Sequence, residues 1–260
     1  MIQHTFSILK GVGPGLERRL WRKGVLNWGD FIAGDIGFIS PERKKIFDAR
    51  LVEAGDKLAQ GDMRYFARAL RRGEHWRLFD LLRDRGLSPL CLDIETNGWD
   101  IASGGYPTVV GLYDGLEYRA YVRGEGLTRE ALNNEFASCD YLITFFGSGF
   151  DMPFLKDSMG VSFEGLHFDL AFGARRLGMK GGLKKLEYQM GVFRDESVQG
   201  MDGYDAVKLW RRAERGDGEA RRLLLLYNKN DTVNLMEMAA ALYGMLRART
   251  GIGEFLCPRS

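Results

Sequence analysis

Residues 89–96 read PLCLDIET, and the expected fold class follows from this segment. Apolar residues such as Leu92 and Ile94 alternate with Asp93 and Glu95, and a period of two predicts a β-strand. Asp93 and Glu95 then project from the same face of that strand, close to one another. Two like charges held so close are costly without a cation between them, although a bare D-x-E pair is far more often an ordinary polar strand face.

Further strands and helices are predicted downstream of this segment. Strand-like runs occupy residues 107–114, 117–123 and 140–146, and a helix is predicted to open at Thr128. Helices dominate from Asp151 onward and end in a long one from about Glu219 to Arg247. Three strands, a helix, a strand and then helices predict an α/β fold, with a mixed sheet flanked by helices.

The chain ahead of this sheet is predicted to be helical. Apolar residues recur every three or four positions through LERRLWRKGV and ERKKIFDARLVEAGDKLAQ, and Ser40 before Pro41 is a helix start signal. A third helical stretch covers residues 63–86 and ends at Gly86. We therefore predict a small all-helical N-terminal module over residues 1–87 and a sheet domain over residues 88–260.

Composition narrows the class of protein. The 260 residues are 45% hydrophobic with a net charge of +2, as in globular proteins with a sizeable core. Residues 1–87 hold 17 basic and 11 acidic side chains, whereas residues 88–260 hold 20 and 24. The excess of positive charge in residues 1–87 would attract phosphate groups, although a solvated helical face explains this excess equally well. Without an apolar run of about 18 residues, a secretory leader or paired cysteines, we expect a cytoplasmic protein with no membrane contact.

Two further acids have ordinary structural explanations as well as functional ones. Asp151 follows the glycine-rich turn GSGF and precedes Pro153, where an aspartate often caps a helix. Asp231 lies inside the long helix, where aspartate is a poor helix former. Tyr227 is four residues earlier and so shares a helical face with Asp231. An exposed acid on an amphipathic helix is the alternative for Asp231.

Taken in order, D-I-E on a first strand, F-D in a strand-to-helix loop and Y-x-x-x-D on a late helix resemble the tyrosine branch (DEDDy) of the DEDD exonuclease superfamily, which has a ribonuclease-H-like fold. The resemblance implies that two divalent metals are bound by four carboxylates, those of Asp93, Glu95, Asp151 and Asp231. It also implies that Tyr227 orients or helps to activate the attacking water. The histidine branch carries its histidine where this chain has Leu226.

The similarity extends to a subgroup of predicted ribonuclease-H-like nucleases through residues 167–192 and 223–235. Relatives of this kind commonly place asparagine and glycine before the second motif, whereas here Phe146 precedes Gly147. That replacement bears on a polar contact to the substrate strand rather than on the metal site.

Phosphodiester hydrolysis gives a physical reason for such a set of acids. Two metals about 3.5 to 4 Å apart position the water, neutralise the phosphate and stabilise the leaving oxygen. Carboxylates are hard oxygen donors suited to Mg²⁺ or Mn²⁺, and the scattered histidines and cysteines disfavour zinc. We assign no catalytic role to Cys257, His4 or His75. His167, near Asp169, either supports the metal ligands or forms a structural pair.

Several residues are predicted to hold a nucleic-acid strand. Trp99 follows the first motif at the place where superfamily members often stack a residue on the terminal base, although packing at the surface is equally compatible. Basic residues between the second and third motifs could follow a phosphate backbone, or form a solvated helix face. They are Arg175, Arg176, Lys180, Lys184 and Lys185.

The segment ILKGVGPGLERRLW, residues 8–21, resembles the helix-hairpin-helix motif of DNA-associated proteins. Gly11 and Gly13 would form the hairpin, and a helix is predicted to begin near Pro14. Backbone N–H groups at such a turn bind phosphate without reading sequence, and Arg18 would add charge. A helical packing unit is the alternative.

The resemblances together predict a metal-dependent 3′ to 5′ exonuclease that acts on ends of single-stranded nucleic acid, with DNA favoured over RNA. Two alternatives remain at this point. One is a non-catalytic nucleic-acid-binding adaptor that keeps the fold, and the other is a structure-selective endonuclease.

Overall fold

The computed structural model describes residues 1–256, and Cys257 lies outside them. The chain divides into two compact units. The first contains Met1–Gly86 together with the described residues from Tyr243 to Leu256, and the second contains Leu87–Leu242. Within residues 1–256, no helix has both the length and the apolar character that crossing a membrane requires.

The first unit is helical. A buried ion pair lies among its apolar residues, where Arg77 Nη2 donates to Glu17 Oε2 at 2.9 Å. Glu17 also accepts from the Phe6 N–H at 2.7 Å. The α-helices of the first 86 residues are α1 (Pro14–Arg22), α2 (Trp28–Ala33), α3 (Pro41–Ala59), α4 (Met63–Ala69) and α5 (Leu81–Asp84).

The predicted helix over residues 63–86 is broken in the structure. Helix α4 ends because Leu70 and Arg71 have extended backbone, with ψ of 150° and 142°. A 3-10 turn, Arg72–Leu78, follows before α5. Helix α2 was not predicted, since it is only six residues long. The N-cap at Ser40 is confirmed, because its hydroxyl accepts from the Arg43 N–H.

The second unit is built on a five-stranded mixed sheet with strand order β3-β2-β1-β4-β5. β1 pairs antiparallel with β2 and parallel with β4. The outer pairs are antiparallel for β2 with β3 and parallel for β4 with β5. The strands are β1 (Pro89–Thr96), β2 (Pro107–Tyr113), β3 (Tyr118–Val122), β4 (Tyr141–Thr144) and β5 (Leu166–Asp169). The predicted α/β class and mixed sheet are confirmed.

Helices follow the strands and pack on both faces of the sheet. Val110 belongs to an apolar cluster with Leu92 and Leu142, whereas its neighbour Val109 belongs to another with Trp210 and Tyr227. Successive residues of β2 therefore serve opposite faces. The helices are α6 (Arg129–Ala137), α7 (Asp151–Met159), α8 (Leu170–Arg176), α9 (Leu183–Met190), α10 (Gly203–Ala213) and α11 (Gly218–Thr250), and α12 (Gly253–Leu256) follows in the first unit.

Two features of this region differ from the sequence-based expectation. Strand β5 was missed, because four residues are too few to show a clear period. The described residues from Tyr243 to Leu256, which the sequence places with the sheet domain, belong to the first compact unit. There the Tyr243 hydroxyl donates to Asp80 Oδ2 at 2.8 Å, and its ring packs 5.5 Å from that of Phe79.

Candidate active site

Three carboxylates from β1 and α11 converge. Oxygen atoms of Asp93, Glu95 and Asp231 all lie within 4.8 Å of one another. Asp93 and Glu95 share a face of β1, as the D-x-E spacing predicts, and Asp231 comes from the middle of α11. Glu95 and Asp231 are each 7% exposed. The exposed-helix alternative for Asp231 is therefore wrong.

The environment of these acids disfavours their charged forms. Loss of hydration raises the pKa of Asp93 and of Glu95 well above the ordinary values, and the negative charge of Asp231 raises both further. Burial likewise raises the pKa of Asp231, while Arg194 and Lys184 oppose that shift. A divalent cation would remove this repulsion, because it compensates several carboxylates at once.

Asp151 lies beside this group without belonging to its tightest part. It is the first residue of α7, and the N-cap position before it, Phe150, provides no side-chain cap. Asp151 Oδ1 accepts from the Ile94 N–H at 3.2 Å, which ties the helix start to the centre of β1. The charge of Asp151 also raises the pKa values of Asp93 and Glu95, so the four acids form one electrostatic unit.

Burial raises the pKa of Asp151 from 3.8 to about 7. Because the folded protein binds this proton more tightly than the unfolded chain does, protonated Asp151 favours the folded state. This contribution is fully present below pH 3.8 and is lost as the pH rises through about 7. In EDTA, Asp151→Asn should therefore gain stability relative to wild type between pH 4 and 8, by up to about 4 kcal/mol. Urea unfolding at each pH measures the difference. Asp157→Asn, an exposed change on α7, is the control, and a pH-independent difference for Asp151→Asn would contradict the assignment.

Tyr227 lies between a basic residue, Lys184, and an acidic residue, Asp231. Lys184 Nζ donates to the Tyr227 hydroxyl oxygen at 2.9 Å and lies 4.7 Å from the ring centroid. Asp231 lies one helical turn further along α11. Tyr227 is 4% exposed, and burial followed by the charge of Asp231 raises its pKa. The phenol therefore stays protonated and can donate a hydrogen bond.

Arg194 is a site residue that the sequence reading missed. Its guanidinium pairs with Asp231 and with Glu187, where Nη2 donates to Glu187 Oε1 at 2.9 Å. Nη1 is buried and has no hydrogen-bond partner within residues 1–256. Because Arg194 follows α9 and no motif surrounds it, only the fold brings it to Asp231.

Asn228 is a second missed residue, although it follows Tyr227 directly. Its Nδ2 donates to Asp93 Oδ2 at 3.0 Å and lies 3.4 Å from Glu95 Oε1. Its Oδ1 accepts from the Tyr118 hydroxyl at 2.8 Å. This amide therefore links β1, β3 and α11 and orients both carboxylates of the first motif.

A cleft of about 510 Å³ opens over the acids. All five predicted catalytic residues line it. Of the predicted strand-binding residues, Arg175 also lines it, whereas Trp99 is 54% exposed and is not among the described residues of its wall. Lys184 contacts Tyr227, and Arg176, Lys180 and Lys185 are exposed. Their contacts with nucleic acid stay predictions.

The loop between β4 and α7 is held by Asp169. Its Oδ1 accepts from the Phe146 N–H at 2.9 Å, and its Oδ2 accepts from the Ser148 N–H at 3.0 Å. His167 Nε2 lies 2.8 Å from Thr144 Oγ1. His167 thus has a structural pairing with Thr144, and Asp169 supports the loop.

The predicted hairpin residues lie in the first unit. Gly11 has a φ of +81°, where glycine is favoured, and Gly13 precedes α1 without a side-chain cap. Arg18 Nε donates to the Thr250 carbonyl at 2.8 Å, so this arginine holds the end of α11. Lys10, Gly11, Gly13 and several arginines line a cavity of about 630 Å³. Binding of nucleic acid there stays a prediction.

The donor set suits a hard divalent cation. Carboxylate oxygens are the ligands that Mg²⁺ and Mn²⁺ prefer. Within residues 1–256 the metal-competent group consists of Asp93, Glu95 and Asp231, without histidine or cysteine. Burial and the repulsion between the acids raise the pKa values of Asp93 and Glu95, and a bound cation would offset both effects. These residues therefore fit such a metal.

Comparison with known proteins agrees with this geometry. Residues 90–243 match the model of a family described as the RNase_H superfamily. The matched segment contains all four acids and the whole sheet except Pro89, the first residue of β1. Among curated proteins, none matches the chain significantly.

Proposed function

Because the chain belongs to the RNase_H superfamily, we propose that it is a metal-dependent 3′ to 5′ exonuclease acting on single-stranded nucleic acid, DNA in preference to RNA. The superfamily suggests a nuclease and a nucleic-acid substrate. One observation carries the finer proposal: Asp93, Glu95 and Asp231 converge within 4.8 Å, with Tyr227 one helical turn before Asp231. That combination is the one expected for the tyrosine branch.

The four acids would hold the metals and position the substrate. Asp93, Glu95 and Asp231 would supply three of the ligands, and Asp151, at the edge of the group, would supply a further carboxylate. When bound, two divalent cations would supply charge neutralisation at the phosphate and activation of water. Asn228 keeps the Asp93 and Glu95 carboxylates in place through its amide.

Tyr227 would orient the attacking water. Its hydroxyl oxygen accepts from Lys184, so its own proton is free for Asp231 or for a water between them. Because the raised pKa keeps this proton on the phenol, Tyr227 acts as a hydrogen-bond donor and not as a base. Lys184 adds a positive charge beside the cleft, which favours an incoming phosphate.

The N-terminal helical module, residues 1–87, would also bind the nucleic-acid strand, and the exonuclease domain would begin at residue 88. Its support is the cavity beside the Gly11–Gly13 turn, whose lining includes Lys10 and Arg68. N–H groups at a helix start and basic side chains attract phosphates without reading sequence. This contribution would depend strongly on salt.

The test is cleavage of 5′-labelled single-stranded DNA and of the matching RNA with Mg²⁺, Mn²⁺ or EDTA. We expect a ladder of shortened products with either metal, none in EDTA, and faster loss of DNA than of RNA. A circular single-stranded DNA should stay intact. Cleavage of the circle would favour the structure-selective endonuclease, and equal rates on DNA and RNA would remove the DNA preference.

A non-catalytic adaptor is the second candidate, and Arg194 favours it. The buried guanidinium of Arg194 already compensates part of the Asp231 charge. The repulsion between the clustered carboxylates is therefore partly reduced without a metal. Strands that bind equally with and without metal, and are not cut, would support this function. Calorimetric titration with Mn²⁺ separates the candidates further, since the exonuclease requires metal binding that depends on Asp93.

A further inference from the structure

We propose that Phe146, Phe172 and Arg175 form a stacking platform that binds an unpaired nucleobase beside the acidic cleft. The two rings lie next to each other, with centroids 6.1 Å apart and an angle of 32° between their planes. They are 39% and 43% exposed. Burying aromatic surface is favourable, so a neighbouring pair of exposed rings offers an apolar surface for a planar ligand.

Arg175 makes the platform suitable for nucleic acid in particular. Its guanidinium carbon lies 5.5 Å from the centroid of Phe146 and 5.2 Å from that of Phe172. Aromatic rings and arginine planes stack on any base, and the arginine charge also attracts the backbone phosphates. The expected ligand is therefore an unpaired base of a single strand, bound with little sequence preference.

The backbone holds Phe146 in a conformation that few side chains adopt. Phe146 has a φ of +63° and is the only non-glycine residue within 1–256 with a positive φ. Such a conformation costs on the order of 1–3 kcal/mol and persists where the surroundings impose it. Here Asp169 accepts from the Phe146 N–H at 2.9 Å.

Gly149 lies close to the Phe146 ring. A Cβ at this position would come within 2.5 Å of the Phe146 ring. The ring therefore lies directly against the glycine backbone, and any larger residue would push it away. The loop thus supports Phe146 at both its backbone and its ring, as expected for a preformed contact surface.

The platform continues into the cleft. Phe146, Arg175 and the 45% exposed Phe150 line the same cavity as Asp93 and Asp231. Two of the three platform residues, Phe146 and Arg175, therefore border the cleft that contains the acids. This inference rests on the proposed function, since it names how that site holds its substrate.

The test is binding without turnover, measured in EDTA by fluorescence anisotropy on the full chain carrying Asp93→Ala. Two labelled oligonucleotides are compared, a thymidine strand and a matched strand whose 3′-terminal nucleotides are abasic. Adding Phe172→Ala should weaken binding of the thymidine strand about 10-fold and leave the abasic strand unchanged, since stacking contributes about 1–3 kcal/mol per base. Phe172→Trp should retain the affinity, because it keeps an aromatic face.

Tyr188→Ala is the matched control, because Tyr188 is an exposed aromatic residue on α9 outside the described lining of the cleft. Phe146→Ala is the second variant, with its fold checked by circular dichroism. Equal binding of both strands by parent and Phe172→Ala would overturn the platform, as would no binding of either strand by the parent. Base-dependent binding alongside an absence of cleavage by the wild type would refute the exonuclease and leave the platform standing.

Discussion

Replacing Asp93 by alanine should abolish metal-dependent cleavage, lowering the single-turnover rate by at least about 10³-fold. Asp93 contributes one of three carboxylate oxygens that lie within 4.8 Å of one another. Losing a carboxylate that would hold metal should remove metal-based stabilisation of the transition state. Each factor of ten in rate corresponds to about 1.4 kcal/mol. The rate is measured on labelled single-stranded DNA with saturating enzyme and Mn²⁺.

The same change should leave the fold intact, which separates a lost site from a lost structure. Asp93 is half-buried, and its pKa is raised by loss of hydration and by neighbouring acids. Removing one of several mutually repelling carboxylates therefore relieves strain in the metal-free protein. Thermal unfolding in EDTA should show a melting temperature equal to or above that of wild type.

Asp157→Ala provides the matched control for this experiment. Asp157 is exposed on α7, the helix that begins with Asp151. Its replacement should change neither the rate nor the melting temperature. If Asp93→Ala cut at the wild-type rate, the metal-site proposal would be wrong even if cleavage by the wild-type protein were metal-dependent.

The residues of the candidate site differ in how far the sequence could reveal them. Asp93 and Glu95 follow from a local period, because a strand places alternate residues on one face. Tyr227 and Asp231 follow from a local helical spacing. Arg194 and Asn228 do not, since Arg194 meets Asp231 only through the fold and Asn228 reaches Asp93 across 135 residues.

The same division between local patterns and long-range contacts explains which helices and strands could be predicted from the sequence. Strand β1 and helix α11 have long, regular patterns and were predicted close to their observed bounds. Strand β5 has four residues and takes its place through parallel pairing with β4. The break after α4 arises from extended backbone at Leu70, where the apolar spacing alone continues as a helix. Tertiary contacts decide such short elements.

Gly111 explains how helix α11, which carries the third motif, can lie so near strand β1, which carries the first motif. Gly111 pairs with Asp93 across β1 and β2. A Cβ on Gly111 would lie 2.0 Å from Asn228 Oδ1 and 2.5 Å from Thr232 Oγ1. Both of those side chains are fully buried on α11. The absence of a side chain at this strand position therefore permits the close approach of α11 to β2.

Gly111→Ala should accordingly destabilise the protein by about 3 kcal/mol, the upper end of the usual cost of overpacking. It should also slow cleavage at least about 100-fold, because a shift of about 1 Å in a positioning element is enough for that loss. Asn228 would be displaced from Asp93, and α11 would carry Asp231 away from its partners. Urea unfolding and single-turnover rates measure the two effects.

Two further variants locate the cause of that loss. Gly218→Ala, at the start of α11, meets no atom within 4 Å and should change stability by less than about 0.5 kcal/mol. Adding Asn228→Ala to Gly111→Ala removes the nearest clashing atom, so the double variant should be more stable than the sum of the single changes predicts. Strict additivity, or a Gly111→Ala protein with wild-type stability and rate, would show that α11 does not approach β2 this closely. We expect the double variant to recover stability but not cleavage. Cleavage stays low because Asn228 itself orients the Asp93 and Glu95 carboxylates.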